Sequence, residues 1–249
     1  MALKRRWGMV VDLDRCTGCQ ACVIACEAEN NIPLNEEKIV NERRAISWIR
    51  IERYWVGTEE AERTGDYSQV KARFLPVMCQ QCGNAPCEPV CPVYATHRTE
   101  DGLNAQIYNR CIGTRYCANN DPYNVRFFNF WEPDWPETLH NQLNPDVTVR
   151  SKGLIEKCTF CVQRIRRTER GAKREGRVVR DGEIQPACVQ ACPADVLLFG
   201  DLEDAQSKVA RKAKDRRHYR LLEEVGTDPG VVYLKKVDPS ATPREGTGH

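Results

Sequence analysis

Four groups of cysteines, fourteen thiols in 249 residues, carry the only obvious chemistry of this chain. Cys16, Cys19, Cys22 and Cys26 read C-x2-C-x2-C-x3-C, the run that wraps a [4Fe-4S] cubane. Cys158 and Cys161 form a C-x2-C pair that Cys188 and Cys192-Pro193 complete as C-x3-C-P after a long insertion. Cys79, Cys82, Cys87 and Cys91-Pro92 read C-x2-C-x4-C-x3-C-P. The third group is defective: Cys111 and Cys117 hold its first and third places, while Thr114 and Asp121-Pro122 stand in the second and fourth. A short loop with two residues between thiolates wraps three corners of a cube. The fourth cysteine points away, and in two-cluster ferredoxins it serves the other cluster, so such groups work in pairs. The chemistry is storage and passage of single electrons.

Three other readings of the cysteines are weaker. Disulfide frameworks belong to short secreted chains. Structural zinc also uses C-x2-C pairs, but across longer gaps and without a third and fourth cysteine packed so close. Inert buried thiols would not repeat a spacing.

Composition bounds the rest. The 37 basic and 35 acidic residues give a formal charge of +2, with no bias toward nucleic acid or an acidic partner. No apolar run approaches the roughly 18 to 20 residues that span a bilayer. The start, Met1 to Met9, has an arginine pair but no apolar h-region, so no signal peptide is expected. Dinucleotide fingerprints, phosphate loops, C-x-x-C-H haem sites and nucleophile constellations are absent from the sequence.

The elements that must position the thiols are short. Trp7 to Leu13 reads as a strand entering the first group and Asp195 to Gly200 as one leaving the last, able to pair across the molecule. Ala95 to Arg98 and Ala105 to Tyr108, around Glu100-Asp101-Gly102, read as a hairpin. Ile46 to Tyr54 alternates as a strand, and residues 132–150, with Pro133, Pro136 and Pro145, read as a structureless connector. The basic run from Arg164 to Arg174 reads as a solvated helix face, with partner steering as the alternative. Phe127 to Trp131 could shield a cluster, dock on a partner or simply pack, and His97 reads as a hairpin histidine.

The expected fold class is α+β: two ferredoxin-like modules of the bacterial 2x[4Fe-4S] type, one inserted in the other, with long loops. Residues 1–30 and 151–200 form the outer module and 76–131 the inner one. Residues 31–75 are an insertion, 132–150 a connector and 201–249 a C-terminal docking tail.

The order of the groups, the long gap inside the last, and Pro76-Val77-Met78-Cys79-Gln80-Gln81-Cys82 resemble the four-cluster electron-transfer subunits of the dimethyl sulfoxide reductase superfamily, over nearly the whole chain. Within it, Cys111-Ile112-Gly113-Thr114-Arg115-Tyr116-Cys117, Ile46 to Ile51 and Tyr219 to Lys236 resemble the iron–sulfur part of alternative complex III and of the menaquinone reductase complex. The resemblance implies that Cys16, Cys19, Cys22 and Cys192 share one [4Fe-4S] cluster and Cys26, Cys158, Cys161 and Cys188 another. It implies a [3Fe-4S] cluster on Cys91, Cys111 and Cys117, where Thr114 offers no thiolate. Cys79, Cys82 and Cys87 then turn to Asp121, where relatives usually place cysteine. The expectation is a labile Asp-capped [4Fe-4S] cluster, with a second [3Fe-4S] cluster or a mere turn-capping aspartate as alternatives.

The implied function is a chain of four clusters carrying electrons between a partner redox subunit and a quinone-reactive membrane subunit. The implied partners are a molybdopterin-oxidoreductase-like subunit, a polysulfide-reductase-type membrane subunit and a multihaem cytochrome c. The chain would be peripheral to a membrane, on the periplasmic rather than the cytoplasmic face, carried across by a partner. The competing functions are a subunit of a soluble formate dehydrogenase or hydrogenase, and a structural zinc protein.

Overall fold

The computed structural model describes residues 5–237. Met1 to Lys4, at the start of the expected outer module, and residues 238–249, at the end of the expected tail, lie outside them. The strands are β1 (Trp7–Asp12), β2 (Ile49–Val56), β3 (Lys71–Met78), β4 (Thr96–Arg98), β5 (Asn104–Gln106), β6 (Phe127–Phe128), β7 (Ile155–Glu156), β8 (Leu197–Asp201), β9 (His218–Tyr219) and β10 (Val231–Leu234). The helices are α1 (Ala21–Glu29), α2 (Glu37–Asn41), α3 (Thr58–Thr64), α4 (Tyr116–Asn119), α5 (Val162–Arg174), α6 (Ala187–Gln190) and α7 (Lys208–Lys212). Helices and strands are mixed, as expected.

β1 is buried along its whole length because it lies inside a sheet ordered β8-β1-β10-β9. A strand covered on both faces must be apolar throughout rather than alternating. Trp7, Met9 and Val11 pack with Phe160, Phe199 and Tyr233 on one face. Val10 packs with Val209, Val232 and Leu234 on the other. A Cβ on Gly8 would lie 2.6 Å from the Gly230 carbonyl, so close approach of the neighbouring backbone requires glycine there.

The expected pairing of the first and last strands is present: β1 runs antiparallel to β8, with Met9 opposite Phe199 and Val11 opposite Leu197. β10 falls within residues 201–249, expected as a C-terminal docking tail, and takes part in the central sheet. It lies parallel to β1, with Met9 opposite Val231 and Val11 opposite Tyr233, and all four of its residues are buried. Its Val-Val-Tyr-Leu sequence suits an interior strand. The loop before it is stitched to the second cysteine group: Gly83 and Asn84 donate N–H bonds to the Asp228 and Thr227 carbonyls, and Gly230 donates to that of Gln80.

The strand expected around Ile46 to Tyr54 appears as β2. It pairs antiparallel with β3, Ile49 opposite Met78, and β3 delivers Cys79. The predicted hairpin appears as β4 and β5, Thr96 opposite Gln106, with Gly102 at φ 82° in its turn. The connector is not structureless. It carries a 3-10 turn at Glu137–Gln142, and Asn31 clamps its far half through the Asn144 and Val147 carbonyls at 2.9 and 2.7 Å. α5 buries Ile165 and Ala172 and leaves Arg166, Arg167, Arg170, Lys173 and Arg174 exposed, a solvated face. Among the described residues no helix is long and apolar enough to cross a membrane.

Candidate metal centres

One backbone device recurs in all four cysteine groups. The residue two places after the first cysteine lies in the left-handed region: Gly18 (φ 74°), Gln81 (48°), Gly113 (73°) and Phe160 (55°). This reverses the chain between ligand places two residues apart. The first and third groups match further. Gln20 and Arg115 are also left-handed, at 63° and 62°, and α1 and α4 each begin two residues after Cys19 and Thr114. Cys19 and Thr114 are both exposed, while Cys22 and Cys117 are both buried. Thr114 therefore stands in the seat that Cys19 holds in its own loop.

The fourth places match as well. Cys91, Asp121 and Cys192 each precede a proline and have a left-handed residue three positions on: Tyr94, Asn124 and Asp195. The N–H of that residue bonds back to the carbonyl of the fourth-place residue at 3.3, 3.4 and 3.3 Å. The next N–H reaches the side-chain atom itself: Ala95 donates to Cys91 Sγ at 3.2 Å, Val196 to Cys192 Sγ at 3.3 Å, and Val125 to Asp121 Oδ2 at 2.8 Å. Tyr123 donates to Asp121 Oδ1 at 3.2 Å. The carboxylate thus caps its turn and also lies where the other two turns hold a thiol.

The fold gathers these side chains into four sets. Burial first, and then the charges of Cys192, Cys16 and Cys19, push the Cys22 thiol up to about 11. These four line a shared pocket with Ile51 and Pro76. Burial and then Cys158, Cys161 and Cys188 hold the Cys26 thiol well above its ordinary value. Asn30 Nδ2 lies 3.5 Å from Cys26 Sγ and 3.8 Å from Cys161 Sγ. Burial raises Cys82 to about 12, with Cys79, Cys87 and Asp121 adding to the shift and the Thr227 hydroxyl opposing it. Burial also raises Cys117, with Arg126 opposing the shift and the charges of Cys111 and Cys91 adding to it.

All fourteen cysteines are free. Structural zinc would need its ligands to meet about 2.0 to 2.3 Å from one centre. Desolvated thiols that would repel one another as thiolates suit a larger positively charged inorganic core, which they bind as thiolates with release of protons. Backbone N–H groups already point at sulfur, as in Phe160 to Cys158 and Ala187 to Cys161, both 3.4 Å, and such bonds tune cluster potentials.

The sets follow one another. Cys22 and Cys26 share α1, and the charge of Cys22 acts on Cys188. Cys79 acts on Cys158, joining the second set to the third. Cys87, Cys79 and Cys117 all act on Arg126, which joins the third set to the fourth. Phe128, half-buried, packs against a small cluster of Cys87, Cys117 and Ile155. His97 is half-buried on β4 with its ring 5.7 Å from Tyr94. Sequence reasoning missed Asn30, Asn104, Arg126, Lys157 and Thr227. The one available signal was the charged pair Glu156-Lys157 interrupting an apolar segment just before Cys158.

The family pattern of the 4Fe-4S dicluster domain matches residues 15–95, which include the first two groups. The chain is 41% identical over 237 residues to the menaquinone reductase iron–sulfur cluster-binding subunit of Nitratidesulfovibrio vulgaris, covering 94% of this chain and 90% of that one. It is 38% identical over 235 residues to an iron–sulfur subunit of dimethyl sulfoxide reductase type from Halobacterium salinarum, covering 92% and 78%. It is 32% identical over 258 residues to the arsenate respiratory reductase iron–sulfur subunit of a Shewanella species, covering 92% and 96%.

Proposed function

We propose a route for electrons through this chain from one premise: it belongs to the family of iron–sulfur electron-transfer subunits of dimethyl sulfoxide reductase-type and quinone-linked oxidoreductase complexes. The route runs through four clusters in line. Cys16, Cys19, Cys22 and Cys192 hold the first, and Cys26, Cys158, Cys161 and Cys188 the second, both [4Fe-4S]. Cys79, Cys82, Cys87 and Asp121 hold the third, also [4Fe-4S]. Cys91, Cys111 and Cys117 hold a [3Fe-4S] cluster at the end. When bound, such clusters take up and give back single electrons at potentials set by their type and surroundings.

The placement of Cys22 and Cys26 on one helix, of Cys26, Cys79, Cys82, Cys158 and Cys188 in one core cluster, and of Cys87, Cys111 and Cys117 in another carries this reading. Asp121 enters on the match of its turn to those of Cys91 and Cys192. Each carboxylate oxygen has two lone pairs, so accepting one backbone N–H leaves room for iron. We read the first and last groups as an outer ferredoxin-like module and the middle groups as an inner one inserted in it.

The three-thiolate end suits a higher potential and a quinone-reactive membrane subunit as neighbour. The opposite end faces a molybdopterin-oxidoreductase-like subunit or a multihaem cytochrome c. Attachment is peripheral, on the periplasmic face. Menaquinol added anaerobically to the native complex is expected to bleach the brown iron–sulfur absorption. Bleaching by formate or hydrogen and none by menaquinol would instead favour the soluble formate dehydrogenase or hydrogenase reading.

A further inference from the structure

Two buried cations make no ion pair with a carboxylate among the described residues, although the charge of Asp121 acts on one of them, Arg126. Arg126 is 7% exposed and Lys157 is 0% exposed, and among the described residues neither makes an ion pair. The Arg126 guanidinium donates to Thr96 Oγ1 at 3.1 Å, Gln106 Oε1 at 3.0 Å and Asn104 Oδ1 at 2.5 Å. All three acceptors are neutral. Asn104 Oδ1 in turn lies 3.8 Å from Cys87 Sγ, which puts the guanidinium beside the third set. On its other side its charge acts on Cys117 of the fourth set. Lys157 Nζ donates to the Cys158 carbonyl at 3.0 Å, and its charge acts on Cys158 of the second set and Cys87 of the third.

A buried charge is costly unless it is paired and hydrogen-bonded, and removing the counter-charge of a buried pair is strongly destabilising. Burial of both cations therefore calls for anions nearby, and the ligand sets on either side, the third with Asp121, are placed to supply them. An added electron makes a cluster more negative, so a fixed cation in a low-dielectric surrounding favours the reduced form. The third set alone has such a cation at both of its junctions.

We propose that Arg126 and Lys157 are potential-setting residues of the electron path: Arg126 raises the reduction potentials of the third and fourth sites together, and Lys157 those of the second and third. The inference rests on the four-site reading above.

The test is a potentiometric EPR titration of the native complex carrying Arg126→Gln or Lys157→Met, with iron measured on the same samples. Arg126→Gln is expected to lower the reduced-to-oxidised ratio at a given potential at least tenfold, about 59 mV for one electron, at the third and fourth sites and not at the first. Lys157→Met is expected to do so at the second and third sites, leaving the [3Fe-4S] signal where it was. Arg126→Lys, which keeps the charge, is expected to show little of the shift. Midpoints that stay put in fully iron-loaded variants, or that move equally at all four sites, would overturn the proposal. If one variant fails to load iron, the other decides on the same criterion. Low iron in the unmutated complex would instead defeat the four-site reading.

Discussion

Thr114→Cys is expected to add one iron per chain and to abolish the [3Fe-4S] signal of the oxidised protein. The substitution places a thiol in a loop that already has the required shape, since Gly113 and Arg115 repeat the left-handed angles of Gly18 and Gln20 around Cys19. Position 114 is exposed, so no core packing opposes the change. A fourth soft thiolate completes the cube. It also adds negative charge, which lowers the potential of that site and should slow reduction of the complex by menaquinol by an order of magnitude or more. Thr114→Ser serves as the control and should keep the original signal and iron content. Persistence of the oxidised-state signal in Thr114→Cys, with iron unchanged, would mean that Thr114 does not stand at a ligand place.

Arg150→Met is expected to cost about 3–5 kcal/mol of stability, the usual penalty for breaking a buried ion pair from one side. Arg150 and Glu156 are 1% and 0% exposed. Glu156 Oε2 accepts from Arg150 Nε and NH2 at 3.0 and 2.7 Å and from Trp48 Nε1 at 2.9 Å. Arg150 also binds the Asn30, Thr148 and Asn31 carbonyls at 2.6, 2.7 and 2.9 Å, and its guanidinium lies over the Trp48 ring. One side chain thus ties the connector, the insertion, the end of α1 and β7 together. Methionine would strand a carboxylate and three carbonyls. Total stability is typically about 5–15 kcal/mol, so a loss of this size takes much of the margin. Because Asn30 also contacts Cys26 and Cys161, iron release in urea should begin at much lower concentration than in the parent protein. A change below about 1 kcal/mol, the range of ordinary surface substitutions, would show that the pair does not hold these elements together.

The sequence made the ligand residues readable because cysteine spacing is local: a C-x2-C loop announces itself within a few residues. It also made β1, β8 and the β4–β5 hairpin readable, since apolar runs and a Gly102 turn are local signals. β10 was hidden for the opposite reason. Its partner β1 lies at the other end of the chain, and a parallel pairing of that range leaves no trace in the pattern of either strand. The Arg150–Glu156–Trp48 network was hidden likewise, because a charge at the end of a proline-rich stretch reads as solvated until the fold buries it. Asp121 shows the limit at a single residue. Asp before Pro signals a turn, and only comparison of its backbone with those of Cys91 and Cys192 shows that the three turns match.

The central claim is a four-cluster path whose third site takes Asp121 and whose fourth has three thiolates. Iron and acid-labile sulfide content with low-temperature EPR, on the complex oxidised and then reduced, tests it most directly. The account predicts about 15 irons per chain, one [3Fe-4S] signal when oxidised, and signals of the remaining cubanes on reduction. About 14 irons with two such signals would remove Asp121 from the ligand set, and far less iron in the intact complex would contradict the path itself.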